Sequence, residues 1–169
     1  MLVVVSDTHG TESPRLEGRT LEAVREAELV CHCGDFMTEP VLDAFEQEAT
    51  EFAGVYGNND PPAVRDRLAD TRVVDHRGIR LALVHGHEHT ETAVSLFGRQ
   101  SNADLVCVGH SHRPSFQMAG AVPVLNPGSH ADPRWYRPAH AELEVSAKVV
   151  AGRLVQPDGT VFEQFEIER

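Results

Sequence analysis

Residues 1–10 read MLVVVSDTHG, and the fold follows from how this stretch is built. Leu2 to Val5 form an unbroken apolar run that stops at Ser6-Asp7-Thr8-His9-Gly10. Such a run reads as a strand buried on both faces, with a site at its polar end. The pattern recurs along the chain. Leu29 to Cys33 is a second buried strand that stops at Gly34-Asp35, and a third, Thr50 to Tyr56, runs into Gly57-Asn58-Asn59-Asp60. Between them, residues 19–28 carry Leu21, Val24 and Ala27 at helical spacing, and 39–48 carry Val41, Leu42 and Phe45 on one stripe. Alternating strand and helix implies parallel βαβ units whose strand ends gather at one edge, where ligands bind.

The second half changes character. Strands are expected over 72–75 and 79–84, the latter entering His85-Gly86-His87. A helix near 90–99 leads to a strand over 104–108 that stops at Gly109-His110-Ser111-His112. A hairpin is expected around Ala119-Gly120, then the segment Asn126-Pro127-Gly128-Ser129. Ala141, Leu143 and Val145 alternate with Glu142 and Glu144, and 149–155 pairs with 161–167 across Pro157-Asp158-Gly159. Two packed sheets with helices outside is the economical arrangement. No linker or repeat divides the 169 residues, which fit a single domain, 1–169.

Composition narrows the function classes. The 15 basic and 26 acidic residues give a net charge of −11, and Lys148 is the sole lysine beside fourteen arginines. So acidic a chain repels duplex nucleic acid. Excess acid with almost no Lys fits a salt-adapted, halophilic protein; a genome that encodes Arg in place of Lys is the alternative. No run of about 18 apolar residues offers a membrane span. The apolar start lacks a basic n-region and a cleavage site, so it does not read as a signal peptide. Three cysteines make no paired framework, and Cys31-x-Cys33 reads as strand core, in keeping with a reduced, cytoplasmic setting.

Five strand ends deliver seven potential metal ligands: Asp7, His9, Asp35, Asn58, His85, His110 and His112. Alternate residues on an extended chain point the same way, so Asp-x-His and His-x-His each address one site or two adjacent ones. Mixed oxygen and nitrogen donors suit Mn, Fe, Zn or Ni, with Mn favoured here. Seven ligands exceed one tetrahedral ion and suit two ions sharing a carboxylate. Such a pair, about 3.5–4 Å apart, clamps the attacking and leaving oxygens of a phosphoryl displacement. Singly, each segment is as cheaply a capped turn or a loop; their order at successive strand ends defeats that reading. His32, between the cysteines, reads as packed.

The set Asp7-x-His9, Gly34-Asp35, Gly57-Asn58-x-Asp60, His85 and Gly109-His110-x-His112 resembles the calcineurin-like metallophosphoesterases. The short length and Asn126-Pro127-Gly128-Ser129 resemble their small YfcE-type phosphodiesterase branch. The resemblance implies a four-layer α/β/β/α sandwich with two mixed β-sheets and a dinuclear centre. It implies Asp7, His9, Asp35 and His112 on one ion and Asp35, Asn58, His85 and His110 on the other, with Asp35 bridging. The expected reaction is hydrolysis of a small phosphodiester by a metal-bridging hydroxide, with Asp35, Asn58 and His87 as catalytic residues. Larger members carry a general-acid His directly after the motif Asn; here that position is Asn59, which has no useful acidity. His87 is the candidate substitute, and His89 and His130 are weaker ones. Alternatives are a scaffold like the Vps29 subunit of retromer, which shares the fold, or a phosphomonoesterase or nucleotide pyrophosphatase on the same centre. The sequence leaves self-association into a homo-oligomer open.

Overall fold

The structure is a computed structural model, which describes residues 1–168. β1 (Leu2–Val5), α1 (Gly18–Glu26), β2 (Leu29–His32), α2 (Glu39–Glu48) and β3 (Phe52–Gly54) form two βαβ units with all three strands parallel. A short α3 (Pro62–Arg65) leads to β4 (Thr71–His76) and β5 (Ile79–Val84), an antiparallel hairpin turned at Arg77-Gly78. Both turn residues have positive φ (49° and 78°), the geometry that matches strand twist in a two-residue hairpin. Next come α4 (Glu91–Gln100), β6 (Leu105–Cys107), the β7 (Ser115–Ala119) and β8 (Val122–Asn126) hairpin, and β9 (His140–Val145), β10 (Val149–Val155) and β11 (Val161–Glu168).

The strands make two mixed sheets, ordered β11-β10-β9-β1-β2-β3 and β4-β5-β6-β8-β7. Alternation along β1 explains the layers. Leu2 and Val4 join Cys31, Leu81, Leu105 and Leu143 in the core between the sheets, while Val3 and Val5 lie under α1 and α2 with Val24 and Phe45. On the second sheet, Ala82 and Val106 pack outward against Val94 of α4. The four-layer α/β/β/α sandwich is as expected. Cys31, Cys33 and Cys107 are free, buried members of the middle core, and burial pushes the Cys31 thiol up to about 12. No helix among the described residues is long and apolar enough to cross a membrane.

One expectation needs correction. The third strand is shorter than 50–56; past Gly54 the chain keeps only an isolated bridge, Val55 to Ala69. Glu142 is buried. It alternates away from Ala141 and Leu143 as expected, and its side chain is 1% exposed beneath α1. There it accepts from Arg19 Nε (2.8 Å), Arg153 Nε (3.1 Å) and His140 Nε2 (3.0 Å).

Candidate metal centre

β1, β2, β3, β5 and β6 end at the same edge of the paired sheets, and the polar segments that follow them converge there. Asp7 and His9 follow β1, Asp35 follows β2, Asn58 follows β3, His85 follows β5, and His110 and His112 follow β6. Five of these seven residues hold the left-handed backbone that non-glycine residues avoid: Asp7 (φ 52°), His9 (47°), Asp35 (63°), His110 (65°) and His112 (57°). Such strain persists only where the surroundings over-determine it, and it concentrates at functional sites. The loops are pinned together by Asp7 N–H to Gly34 O (2.9 Å) and His9 N–H to Asp35 O (3.0 Å). Close approach also demands glycine. A Cβ at Gly109 would run into Ser6 Oγ, and one at Gly57 into Asp35 Oδ1.

The donor atoms meet at short range. Asp35 Oδ2 lies 3.2 Å from His9 Nε2 and 3.4 Å from His85 Nε2. Asn58 Oδ1 lies 3.1 Å from both His85 Nε2 and His110 Nδ1. Asp7 Oδ1 lies 3.5 Å from His112 Nε2 and 4.0 Å from His85 Nε2. Ligand atoms of Asp7, His9 and His112, and of Asp7, Asp35 and His85, fall within 4.8 Å of one another in each group. The far sides of two rings are already committed: His85 Nδ1–H donates to Cys33 O (2.7 Å), and His112 Nδ1–H to the carbonyl of Asp132. That fixes the tautomer and turns Nε2 inward, the usual outer support of a metal-binding imidazole.

Several buried groups are left unsatisfied by the protein itself. Nε2 of His9 and of His112 are buried and make no hydrogen bond; the 3.2 Å approach of His9 to Asp35 lies outside hydrogen-bond geometry. Unpaired buried nitrogens are costly, and a cation would satisfy them. The carboxylates tell the same story. Burial pushes Asp7 above the usual carboxylate range, with partial relief from His85. Burial opposes ionisation of Asp35 too, but His85, His9 and Asn59 outweigh it and hold its carboxyl well below the usual range. His85 is desolvated, yet Asp35 and Asp7 raise its pKa, whereas burial and the neighbouring His85 lower that of His110. The donor set, its orientation and its orphaned nitrogens fit divalent cations.

Other residues build the site without being among the seven. Asp60 is buried and accepts from the backbone N–H of Asp35 (2.9 Å), Gly57 (2.8 Å) and Met37 (2.9 Å), which ties two loops together. Ser6 Oγ–H donates to Asp7 Oδ2 (2.7 Å), and Ser129 Oγ–H to Asp7 O (2.7 Å). Asn126 Nδ2 donates to Gly109 O (2.8 Å), and Asp132 Oδ2 approaches His9 Nδ1 at 3.9 Å. The sequence signals were the Asp of Gly57-Asn58-x-Asp60 and the Asn126-to-Ser129 segment; nothing pointed to Ser6 or Asp132.

The flanking candidates separate. His87 sits at the rim, 26% exposed, its ring 5.5 Å from His85 and 6.2 Å from His110; burial and His85 lower its pKa. His89 lines a neighbouring cavity of about 450 Å³ that also touches His110 and Asn126. His130 is elsewhere: its Nε2–H donates to Pro14 O (2.9 Å), and burial lowers its pKa to about 4. His32 is packed as expected, stacked on Phe36 and hydrogen-bonded to Thr8 and Gly34. Asn59 faces inward, its Nδ2 donating to Asp35 Oδ2 (2.7 Å) and its backbone N–H to Asp35 Oδ1 (2.9 Å).

The family model described as the calcineurin-like phosphoesterase superfamily domain matches residues 1–148. The chain belongs to this superfamily. It is a phosphoester hydrolase by that membership and by its curated relatives. A probable metallophosphoesterase of Methanothermobacter thermautotrophicus is 25% identical over 176 residues, covering 100% of this chain and 99% of the relative. A phosphodiesterase of Methanocaldococcus jannaschii is 27% identical over 138 residues, covering 74% and 81%. Among solved structures, a conserved Streptococcus pneumoniae protein described as a predicted phosphoesterase superposes with a TM-score of 0.79 at 24% identity, covering 99% and 97%. Zinc-complexed Vps29 of Entamoeba histolytica superposes with a TM-score of 0.77 at 22% identity, covering 99% of each chain. These structural likenesses establish the shared fold of the superfamily.

Proposed function

We propose that this phosphoesterase is a phosphodiesterase that holds two divalent cations between its paired sheets. Asp7, His9, Asp35 and His112 would hold one, and Asp35, Asn58, His85 and His110 the other. The observation that carries this reading is the position of Asp35 Oδ2, between His9 Nε2 at 3.2 Å and His85 Nε2 at 3.4 Å. Asp7 Oδ1 also stands between the two groups, but farther off, at 3.5 Å from His112 Nε2 and 4.0 Å from His85 Nε2, so Asp35 is the carboxylate closer to imidazoles of both. Manganese is the favoured metal for these mixed oxygen and nitrogen donors. Once bound, such a pair supplies Lewis acidity toward phosphoryl oxygens and a water acidified toward neutrality.

The protein's own work is orientation and attraction. Asn59 and Asp60 hold Asp35 from two sides, and the carbonyls of Cys33 and Asp132 hold the rings of His85 and His112. Arg15 NH2 donates to Thr8 O (3.0 Å), and Arg65 Nε and NH2 to Asp60 O (2.7 Å) and Asn58 O (2.8 Å). Neither arginine is neutralised by a carboxylate among the described residues, so both keep positive charge beside the site for an anionic ester. His87, at the rim beside His85 and His110, would serve the leaving oxygen in the role Asn59 cannot fill. Three buried free thiols agree with a reducing, cytoplasmic setting. The acidic, Lys-poor surface is that of a salt-adapted protein, whose melting temperature should rise toward molar KCl; a flat response would refute this.

Metal analysis of the purified protein, paired with rates on an aryl phosphodiester and an aryl phosphomonoester, tests the proposal. Two ions per chain and faster diester turnover are expected. Two bound ions with no turnover of either ester would assign the fold to scaffolding instead.

A further inference from the structure

Trp135, the sole tryptophan of the chain, is 94% exposed, and Tyr136 beside it is 42% exposed. So large an aromatic group seldom stands in water unless something covers it. The segment is not frayed. Ser129 Oγ accepts from Asp132 N–H (2.8 Å), Tyr136 N–H donates to Pro133 O (2.9 Å), and Ala139 N–H to Ser129 O (3.0 Å). Arg134 turns the chain through a left-handed backbone (φ 52°) just before the tryptophan. The two rings, with Arg113, Pro114, Arg137 and Phe162, line a hollow of about 440 Å³.

That hollow adjoins the metal centre by two covalent routes. Arg113 follows His112 directly, and Trp135 lies three residues after Asp132, whose carbonyl accepts from His112 Nδ1–H. Three residues of extended chain span at most about 11 Å. The hollow is also cationic. Neither Arg113 nor Arg137 meets a carboxylate among the described residues, and the Arg137 guanidinium lies 5.3 Å from the Phe162 ring centroid. Flat rings with unneutralised guanidinium groups, set next to a phosphoester site, match a base joined to its phosphate through a sugar. A second copy of this chain fits less well, because a two-fold contact would bring the same arginines against one another.

We propose that Trp135 and Tyr136, with Arg113 and Arg137, form a subsite for the base of a nucleoside phosphodiester. The assignment of this face as a substrate subsite rests on the phosphodiesterase reading above. Two ester substrates with the same leaving group test it: thymidine 5′-(4-nitrophenyl phosphate) and methyl 4-nitrophenyl phosphate. In Trp135→Ala the ratio of kcat/KM for the thymidine ester to that for the methyl ester should fall about tenfold, chiefly through KM, and Trp135→Phe should restore most of it. A ratio unchanged by Trp135→Ala overturns the subsite.

Binding is read independently of turnover. Thymidine 5′-monophosphate should quench the fluorescence of the lone tryptophan in metal-free protein, while inorganic phosphate should not. If the wild-type enzyme hydrolyses neither ester but quenching is seen, the phosphodiesterase reading fails and the base site stands. Absent quenching, or a dimer in sedimentation that Trp135→Ala dissociates, overturns the base site. Competition by oligothymidylate distinguishes the source of the base: inhibition no stronger than by the mononucleotide assigns a small nucleotide, and stronger inhibition a single strand.

Discussion

Two buried clusters of carboxylate and imidazole lie on the first sheet, and they are satisfied in opposite ways. Around Glu142, every strong group has a partner. His140 is held through Nδ1 by Thr20 Oγ1 (3.0 Å) and through Nε2 by Glu142 (3.0 Å), while Arg19 is shared with Glu26 (3.0 Å). Around Asp7 and Asp35, two imidazole nitrogens have no hydrogen bond and five residues hold strained backbone. Glu142 pairs across the sheet with Val3, four residues before Asp7, so neighbouring stretches of one sheet carry both arrangements. The difference teaches what burial of charge means in each place. A closed cluster fixes the fold, whereas an open one is arranged for a ligand to close. Arginine follows the same division: Arg19 and Arg153 are spent on Glu142, while Arg15, Arg65, Arg113 and Arg137 meet no carboxylate among the described residues.

The widest contrast is between removing one carboxylate from each cluster. Asp35→Asn should lower turnover at least about 10³-fold and reduce bound metal, because the shared ligand is gone. Its metal-free melting temperature should fall, since His85, His9 and Asn59 lose the carboxylate that they hold, against its burial, well below its usual range. Metal content by elemental analysis and thermal melts with chelator check both halves; near-normal activity would refute the bridging role. Glu142→Gln should act on the fold alone, costing roughly 3–4 kcal/mol of folding stability by leaving Arg19, Arg153 and His140 short of a partner. Its kcat per folded enzyme should match wild type. Urea melts and rates on the same preparation separate the two clusters, and a loss of kcat would deny that the second is structural.

Acidification sharpens the comparison from a third place. His130 is buried with Nε2–H given to Pro14 O and Nδ1 left without a partner, so a second proton finds no acceptor. Its folded pKa of about 4 lies below the unfolded value of 6.5. The unfolded chain therefore binds the extra proton first. Stability is present above about pH 6.5 and is lost as pH falls toward 4, by roughly 3 kcal/mol for this group. His32, its pKa lowered chiefly by burial, acts in the same direction. Melts of metal-free protein from pH 7 to 4 should show this slope, and His130→Gln, which keeps a donor for Pro14, should flatten it.

What the chain discloses by itself divides along the same line. Each of the seven donors follows an apolar run, so strand-end position was enough to bring them together. Period-two alternation correctly put Glu142 on the face opposite Leu143. It is silent on what covers that face, and here Arg19 and Thr20 of α1 do. Support of the site was equally hidden, because it spans the chain: Ser129 reaches Asp7 across 122 residues, and Asp60 reaches Asp35 across 25. No periodicity encodes contacts between loops. Trp135 escaped notice for a related reason, since nothing in one sequence distinguishes an exposed tryptophan from a buried one.

Asn59 gives the smallest and finest test. From sequence, its importance was a missing acid beside the leaving group. In the structure its amide reaches Asp35 Oδ2 at 2.7 Å while its backbone N–H holds Oδ1 at 2.9 Å, so one carboxylate is aimed by one residue twice. Asn59→Ala removes the first contact and keeps the second. Loss of one such outer contact should weaken metal binding about tenfold, the low end for supporting residues, because the backbone donor survives. Competition with a chelating dye reads that change directly, and kcat at saturating metal should change little. The opposite pattern, with metal affinity unchanged and a steeper dependence of rate on leaving-group pKa, would mean that the side chain turns toward the ester. Asn59→His would then gain most on esters with poor leaving groups, and the open cluster would owe the aim of Asp35 to Asp60 and the backbone alone.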